Sequence, residues 1–420
     1  MPHFTKPAEG SWTEHFGIDT KPVNYSDSIS PEFYEQERDA IFRRTWLNLG
    51  RVEQLKRVGS YFTKEIAAAG ASAVIVRSGP DEYRAFYNIC RHRGNKLVWQ
   101  DYPNEEVSGI CRTFTCKYHG WQFDLEGQLQ FVQQEEEFFD FDKADWPLRP
   151  IRLEVWEGWI FINFDDDAAP LTEYLGTMLR GIEGYPFEEF TQVYKYRAEI
   201  GANWKLFIDA FTEFYHAPVL HARQAVEEES RKLQGYGYEA LAYEVDGPHN
   251  LVSSWGGMSP PKDESMVKPI ERKLRSGLFG PWDSPDVVPE LPSGLNPSGH
   301  RAWGEDSFLF FPNFMMLIWE RQWILTYHYW PTSHNTHIFE GTAYFVPPKN
   351  AKERLTQELA MVTFVEYALQ DANTLEATQT MIETQAVTEF PLCDQEVLLR
   401  HLHRTAREYV ADYESTKAGQ

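Results

Sequence analysis

The order of apolar and polar positions divides the chain into two stretches of different character. From about residue 46 to 164, short β-type runs alternate with turn chemistry. Residues 72–77 are β-branched, Gly79-Pro80-Asp81 is a hairpin signal, and residues 83–89 alternate on the way back. Residues 110–115 and 159–164 read as further strands, so a small all-β domain is predicted. Beyond it, residues 193–200 read as a strand and residues 203 to about 215 as a helix. Aromatic and β-branched runs follow at Leu309, 315–319, 323–329 and 337–346, and helical patterns cover 351–381 and 395–410. Strands followed by long helices predict an α+β domain, an antiparallel sheet with helices packed on it. Residues 256–301, rich in Pro, Gly and Ser, form a long irregular stretch of the kind that serves as a lid. Residues 1–45 are polar, with a helix expected at 31–42, and are expected to pack on the second domain.

Composition narrows the function. A chain of 420 residues with 42% hydrophobic and 15% aromatic residues has material for two cores and an apolar pocket. The start, Met1-Pro2-His3-Phe4-Thr5-Lys6, lacks a basic stretch leading into an apolar one, and no apolar run reaches membrane-spanning length. A soluble, cytoplasmic protein is expected. The net charge of −23 disfavours nucleic acid and anionic membranes, which would repel it. Four cysteines are too few for a disulfide scaffold, so they are buried thiols or metal ligands.

Two constellations carry chemistry. Cys90-Arg91-His92-Arg93-Gly94 and Cys116-Lys117-Tyr118-His119-Gly120 each follow a strand and open into a glycine-containing loop. Two thiolates and two imidazoles suit zinc or an iron–sulfur cluster. One Cys and one His per loop is the ligation of a Rieske centre, where two histidines replace two cysteines on one iron. Zinc, which usually pairs like with like, is the weaker reading. Cys111 and Cys393 have no histidine in register and read as ordinary buried thiols. The second constellation is Asp209, Glu213, His216 and His221, at the end of the helix expected from residue 203. Helical spacing puts Asp209, Glu213 and His216 on one face, and Pro218 is expected to break the helix so that His221 turns onto the same ion. Two histidines and a carboxylate leave open positions for O2 on a non-haem Fe(II).

The order C-x-H, C-x2-H, E-x-x-H-x4-H resembles the α subunits of Rieske non-haem iron ring-hydroxylating oxygenases, from about Trp46 to the C-terminus. The resemblance implies a small all-β Rieske [2Fe–2S] domain at 46–165. It also implies a helix-grip catalytic domain at 166–420, an antiparallel sheet with a long C-terminal helix. It implies cluster ligation by Cys90, His92, Cys116 and His119, and a mononuclear iron on His216, His221 and Asp371. Local spacing does not choose Asp371 over Glu366 or Glu376. Glu213 matches the carboxylate that couples one subunit's cluster, through His119, to its neighbour's iron; many members carry Asp there and Asn where this chain has Asp209. The implied assembly is a homotrimer, with or without a small β subunit.

The implied reaction is hydroxylation or dihydroxylation by O2 of a hydrophobic, aromatic or polycyclic substrate. The alternative is monooxygenation or oxidative demethylation of a non-aromatic one. Gly235-Tyr236-Gly237-Tyr238-Glu239-Ala240 fits a loose dinucleotide fingerprint but follows a polar run, so electrons are expected from a separate ferredoxin or NAD(P)H-dependent reductase. Arg91, Arg93, Lys96 and Lys117, interleaved with the cluster ligands, are a candidate docking collar for an acidic donor. Two rivals are an electron carrier without catalysis and a helix-grip ligand-binding protein without mononuclear iron.

Overall fold

The computed structural model describes residues 10–221, 240–255, 267–277, 280–284, 287–288, 290–301, 303–320 and 323–419. It divides into two compact units, Arg38–Tyr174 and Met1–Glu37 with Leu175–Gln420. None of the described helices is long and apolar enough to cross a membrane.

The smaller unit is all-β. Strands β1 (Leu47–Arg51), β2 (Ser60–Ile66), β3 (Ala71–Gly79), β4 (Glu82–Tyr87) and β5 (Ser108–Ile110) join β9 (Pro150–Trp156) and β10 (Trp159–Asn163). Their order in the antiparallel sheet is β1-β10-β9-β4-β3-β2-β5. A second sheet holds β6 (Phe114–Thr115), β7 (Gln122–Phe123) and β8 (Leu129–Phe131). The single strand expected at 110–115 is therefore two, in different sheets: Cys111 N–H donates to Gly59 O, holding the end of β5 beside β2. Val74, Val76, Phe86, Phe114, Trp121 and Phe123 form a core that also contains Cys90 and Cys116. Both candidate thiols are thus anchored in packed apolar structure, where removing a ring such as Phe123 costs about 3–5 kcal/mol.

The larger unit is built on a seven-stranded antiparallel sheet, order β11-β19-β18-β17-β16-β13-β12. These are β11 (Gln192–Ile200), β12 (Ala242–Asp246), β13 (His249–Trp255), β16 (Trp303–Phe310), β17 (Phe314–Trp319), β18 (Ile324–Ser333) and β19 (Thr336–Phe345). A two-residue pair, β14 (Ser276–Gly277) and β15 (Gly280–Pro281), stands apart. The helices used below are α1 (Pro31–Glu37), α2 (Trp204–Asp209), α3 (Ala217–Leu220), α4 (Ala351–Ile382) and α5 (Val397–Ala418). Asn203 caps α2, its side chain accepting from Lys205 N–H, while Asn203 N–H donates to Gln379 Oε1 on α4 at 2.9 Å. Phe207 and Phe211 pack on Tyr329 and Phe339 of the sheet. These contacts fix the segment after α2 relative to α4. The architecture is the expected α+β one.

Part of the proposed lid, residues 256–266, and residues 235–239 of the dinucleotide-like motif lie outside the described residues. The helix expected at 203–215 ends at Asp209. Phe211 and Thr212 make only i→i−3 backbone bonds, and the Glu213 carboxylate accepts from the N–H groups of Tyr215 and His216. Side-chain capture of those donors competes with helical bonding and turns the chain.

Candidate metal centres

The two Cys/His loops of the smaller unit fold alike. Cys90 N–H donates to Asn95 O at 2.8 Å and Gly94 N–H to Cys90 O at 3.1 Å. Cys116 N–H donates to Trp121 O at 2.9 Å and Gly120 N–H to Cys116 O at 3.0 Å. Each turn closes through a glycine at positive φ, +71° at Gly94 and +73° at Gly120, which strains any L side chain. The His92 and His119 rings lie 4.6 Å apart, and His92 stacks on Trp121 at 4.9 Å. Burial, with the Cys116 thiol beside it, raises the Cys90 thiol to about 11, while burial lowers His92. His92 Nδ1 is buried without a hydrogen-bond partner. Two adjacent thiols, two facing imidazoles and an unpartnered ring nitrogen fit a metal cluster, whose charge would deprotonate the thiols.

In the larger unit, His216 and His221 bracket the single turn of α3, one before it and one after. Pro218 lies in the first turn of α3 and so does not end a longer helix, as the sequence suggested; the break comes earlier, at Glu213. Glu213 bonds His216 Nδ1, and Gln370 Oε1 lies 2.8 Å from His221 Nδ1. Each partner fixes a ring and leaves Nε2 free to bind a metal. The two Nε2 atoms are 3.2 Å apart, and Asp371 Oδ1 of α4 lies 3.6 Å from that of His216 and 3.5 Å from that of His221. Donors bound at about 2.1 Å to one ion lie about 3.0–3.4 Å apart, so these three fit a single cation.

The electrostatics agree. Asp371 Oδ1 is buried with no hydrogen-bond partner, and burial raises the carboxyl to about 7. Burial lowers His221 to about 4, keeping it a neutral ligand. Burial acts on His216 in the same direction, but the Glu213 carboxylate outweighs it and holds that imidazole above its ordinary value. His216, His221 and Asp371 thus form a group whose ligand atoms lie close enough to hold one metal ion.

A profile of the ring hydroxylating alpha subunit catalytic domain matches residues 187–412, more than half of the chain, and a Rieske [2Fe-2S] domain profile matches 45–145. The chain belongs to the ring hydroxylating alpha subunits. It is 32% identical over 190 residues to the carnitine monooxygenase oxygenase subunit of Escherichia coli K12, covering 45% of this chain and 49% of that one. It is 36% identical over 205 residues to the biphenyl 2,3-dioxygenase alpha subunit of Rhodococcus jostii RHA1, covering 47% and 42%. The matched region spans about half the length of these curated relatives. Two solved structures share the fold. A quaternary ammonium Rieske monooxygenase superposes with a TM-score of 0.72 at 19% identity, over 97% of this chain and 100% of that one. Naphthalene 1,2-dioxygenase from Rhodococcus sp. gives 0.66 at 20%, over 93% and 94%. In this family the Rieske domain carries a [2Fe–2S] cluster and the catalytic domain a non-haem iron.

The alpha subunit's other candidate residues lie elsewhere. Asp209 does not share a face with Glu213 and His216; its Oδ2 meets His403 Nε2 of α5 at 3.1 Å, because the chain turns after α2. Glu376 accepts from Gly201 N–H, and Glu366 is exposed. Cys393 is exposed and Cys111 half-buried, correcting the expectation of two buried thiols. In the collar, Arg91, Arg93 and Lys117 are exposed over Trp146, Tyr118 and Trp99, whereas Lys96 is tied to Glu65 at 2.6 Å. Gln370, and Tyr367 with its ring 4.3 Å from His221, were missed. Tyr367 precedes Asp371 by one helical turn, the only sequence signal either residue offers.

Proposed function

We propose that this alpha subunit is the catalytic component of an oxygenase that uses O2 to hydroxylate or dihydroxylate a hydrophobic, aromatic or polycyclic substrate. The convergence of His216 Nε2, His221 Nε2 and Asp371 Oδ1 carries the reading. In this reading those residues hold a mononuclear Fe(II), and Cys90, His92, Cys116 and His119 hold a Rieske cluster. When bound, the iron supplies reductive O2 activation with electrons delivered through the cluster. The chain's own part is positional. Glu213 and Gln370 orient the imidazoles, Asp371 supplies the charge, and Tyr367 packs its ring against His221. Asp209 supports α2 through His403.

The proposed division is a cluster domain at 46–165, a catalytic domain at 166–420, and residues 1–45 packed on the latter. Cluster-to-iron coupling through Glu213 of a neighbouring subunit requires a ring of subunits, which the resemblance to the family makes a homotrimer, with a ferredoxin or reductase as donor. A second reading, monooxygenation or oxidative demethylation of a non-aromatic substrate, is supported by the similarity to carnitine monooxygenase and uses the same residues. The test is single turnover of the chemically reduced holoenzyme with ¹⁸O2 and a panel of aromatic and alkylammonium compounds. Label in a product supports an oxygenase; one or two labelled atoms in an aromatic product mark the first reading, and one labelled atom in a product of an alkylammonium compound marks the second. Absence of label from every product contradicts both.

A further inference from the structure

Cross-strand partners in an antiparallel pair point to the same face of the sheet. Ser254, Glu305 and Trp319 are partners across β13, β16 and β17, with Ser307 and Leu317 one step along. The Trp319 ring meets Phe364 of α4 at 5.4 Å, so this face is turned to the helix that carries Asp371. Trp319 stacks on Trp323 at 5.3 Å, Phe364 lies 6.4 Å from Tyr367, and Tyr367 lies 4.3 Å from His221. An aromatic wall therefore runs from the candidate iron ligands to the strands that hold Glu305.

Glu305 is 3% exposed, and its Oε2 is wholly buried with no hydrogen-bond partner. Its neighbour Asp306, equally buried, shows what a satisfied carboxylate looks like here: it accepts from Asn296 N–H at 2.7 Å and Trp303 Nε1 at 3.0 Å. Ser307 Oγ, two residues along from Glu305 on the same face, is also buried and unpartnered. A buried carboxyl oxygen without a donor is costly, and a bound group that supplies one would complete it. Burial, together with the charge of Asp306, raises the Glu305 carboxyl to about 8.

We infer that Glu305 is a specificity-determining residue that anchors a cationic nitrogen on an otherwise hydrophobic substrate lying along the Trp319–Phe364–Tyr367 wall. A bound ammonium group would displace the proton of Glu305, and a carboxylate beside aromatic faces is the chemistry that recognises such a group. The nearby Asp306 charge favours a cation over a neutral hydrogen-bonding group. The inference deepens the oxygenase reading and rests on it.

Calorimetric titration of the holoenzyme with phenylbutylamine and its neutral isostere phenylbutanol tests this. The amine should bind about tenfold tighter or more. Glu305→Gln should remove that preference by weakening the amine to the level of the alcohol, with iron content and thermal unfolding retained. Equal binding of the two probes, no binding of the amine, or a preference that survives Glu305→Gln overturns the inference. Should the variant not fold, the comparison of the two probes on the parent protein decides alone. Binding needs no turnover, so these outcomes are separate from failure of the oxygenase reading, which would appear as a holoenzyme lacking mononuclear iron.

Discussion

At the candidate iron site each histidine is held by one specific side chain, Glu213 at His216 and Gln370 at His221. Replacing Gln370 by Leu frees the His221 ring, so the affinity for Fe(II) should fall about 10–100-fold while the cluster's visible absorption is unchanged. An Fe(II) titration that matched the parent would remove Gln370 from the account. Glu213→Gln keeps a partner for His216 but loses the charge; both metals should stay bound and product formation slow about tenfold or more. Full turnover in that variant would show that the charge is not needed. The histidine pair was legible from its spacing and the choice of Asp371 came from the resemblance. Gln370 was not legible, because an amide beside a carboxylate has no spacing signature of its own.

At the scale of elements, helix ends were the hardest to read. Periodicity carried α2 on to residue 215, but it cannot register Glu213 capturing two backbone donors. Nor can it show that α5 reaches across to the N-terminal segment. There, His403 lies between Asp27, 2.8 Å from Nδ1, and Asp209, 3.1 Å from Nε2, with the Tyr25 ring at 4.8 Å. Arg407 also approaches Asp27 at 3.2 Å, and nearby Lys205 pairs with Glu37 with both side chains fully buried. Burial opposes the charge on His403, but Asp27 and Asp209 prevail and raise it to about 9. A folded value above the ordinary 6.5 means the ring binds its proton more tightly when folded. The stability it contributes, up to about 3 kcal/mol, is therefore complete below pH 6.5 and lost as pH rises through about 9. The parent's melting temperature should fall across that window, and the fall should be absent in His403→Gln. A parent curve as flat as the variant's would contradict a charged His403.

For the whole molecule, the α+β class, the early all-β unit and the long helices were legible, because turn-punctuated short runs and sustained helical patterns are distinct signals. β12 and β13 were not, since their 5 and 7 residues lie between stretches of polar and turn-forming sequence that mask a short alternation. The collar was legible only as charge. Its structure places Arg91, Arg93 and Lys117 outward over aromatic rings and removes Lys96 to an ion pair. If an acidic donor docks there, Lys117→Glu should raise the KM for the donor several-fold, and added salt should do the same to the parent. Donor kinetics insensitive to both would place docking elsewhere. The central claim is that one chain holds both a cluster and a mononuclear iron. Its most direct test is the ratio of iron to acid-labile sulfide in the anaerobically reconstituted protein. About three irons and two sulfides per chain are expected, falling to about two irons with sulfide unchanged in Asp371→Ala. A parent protein with only the irons of the cluster would contradict the account.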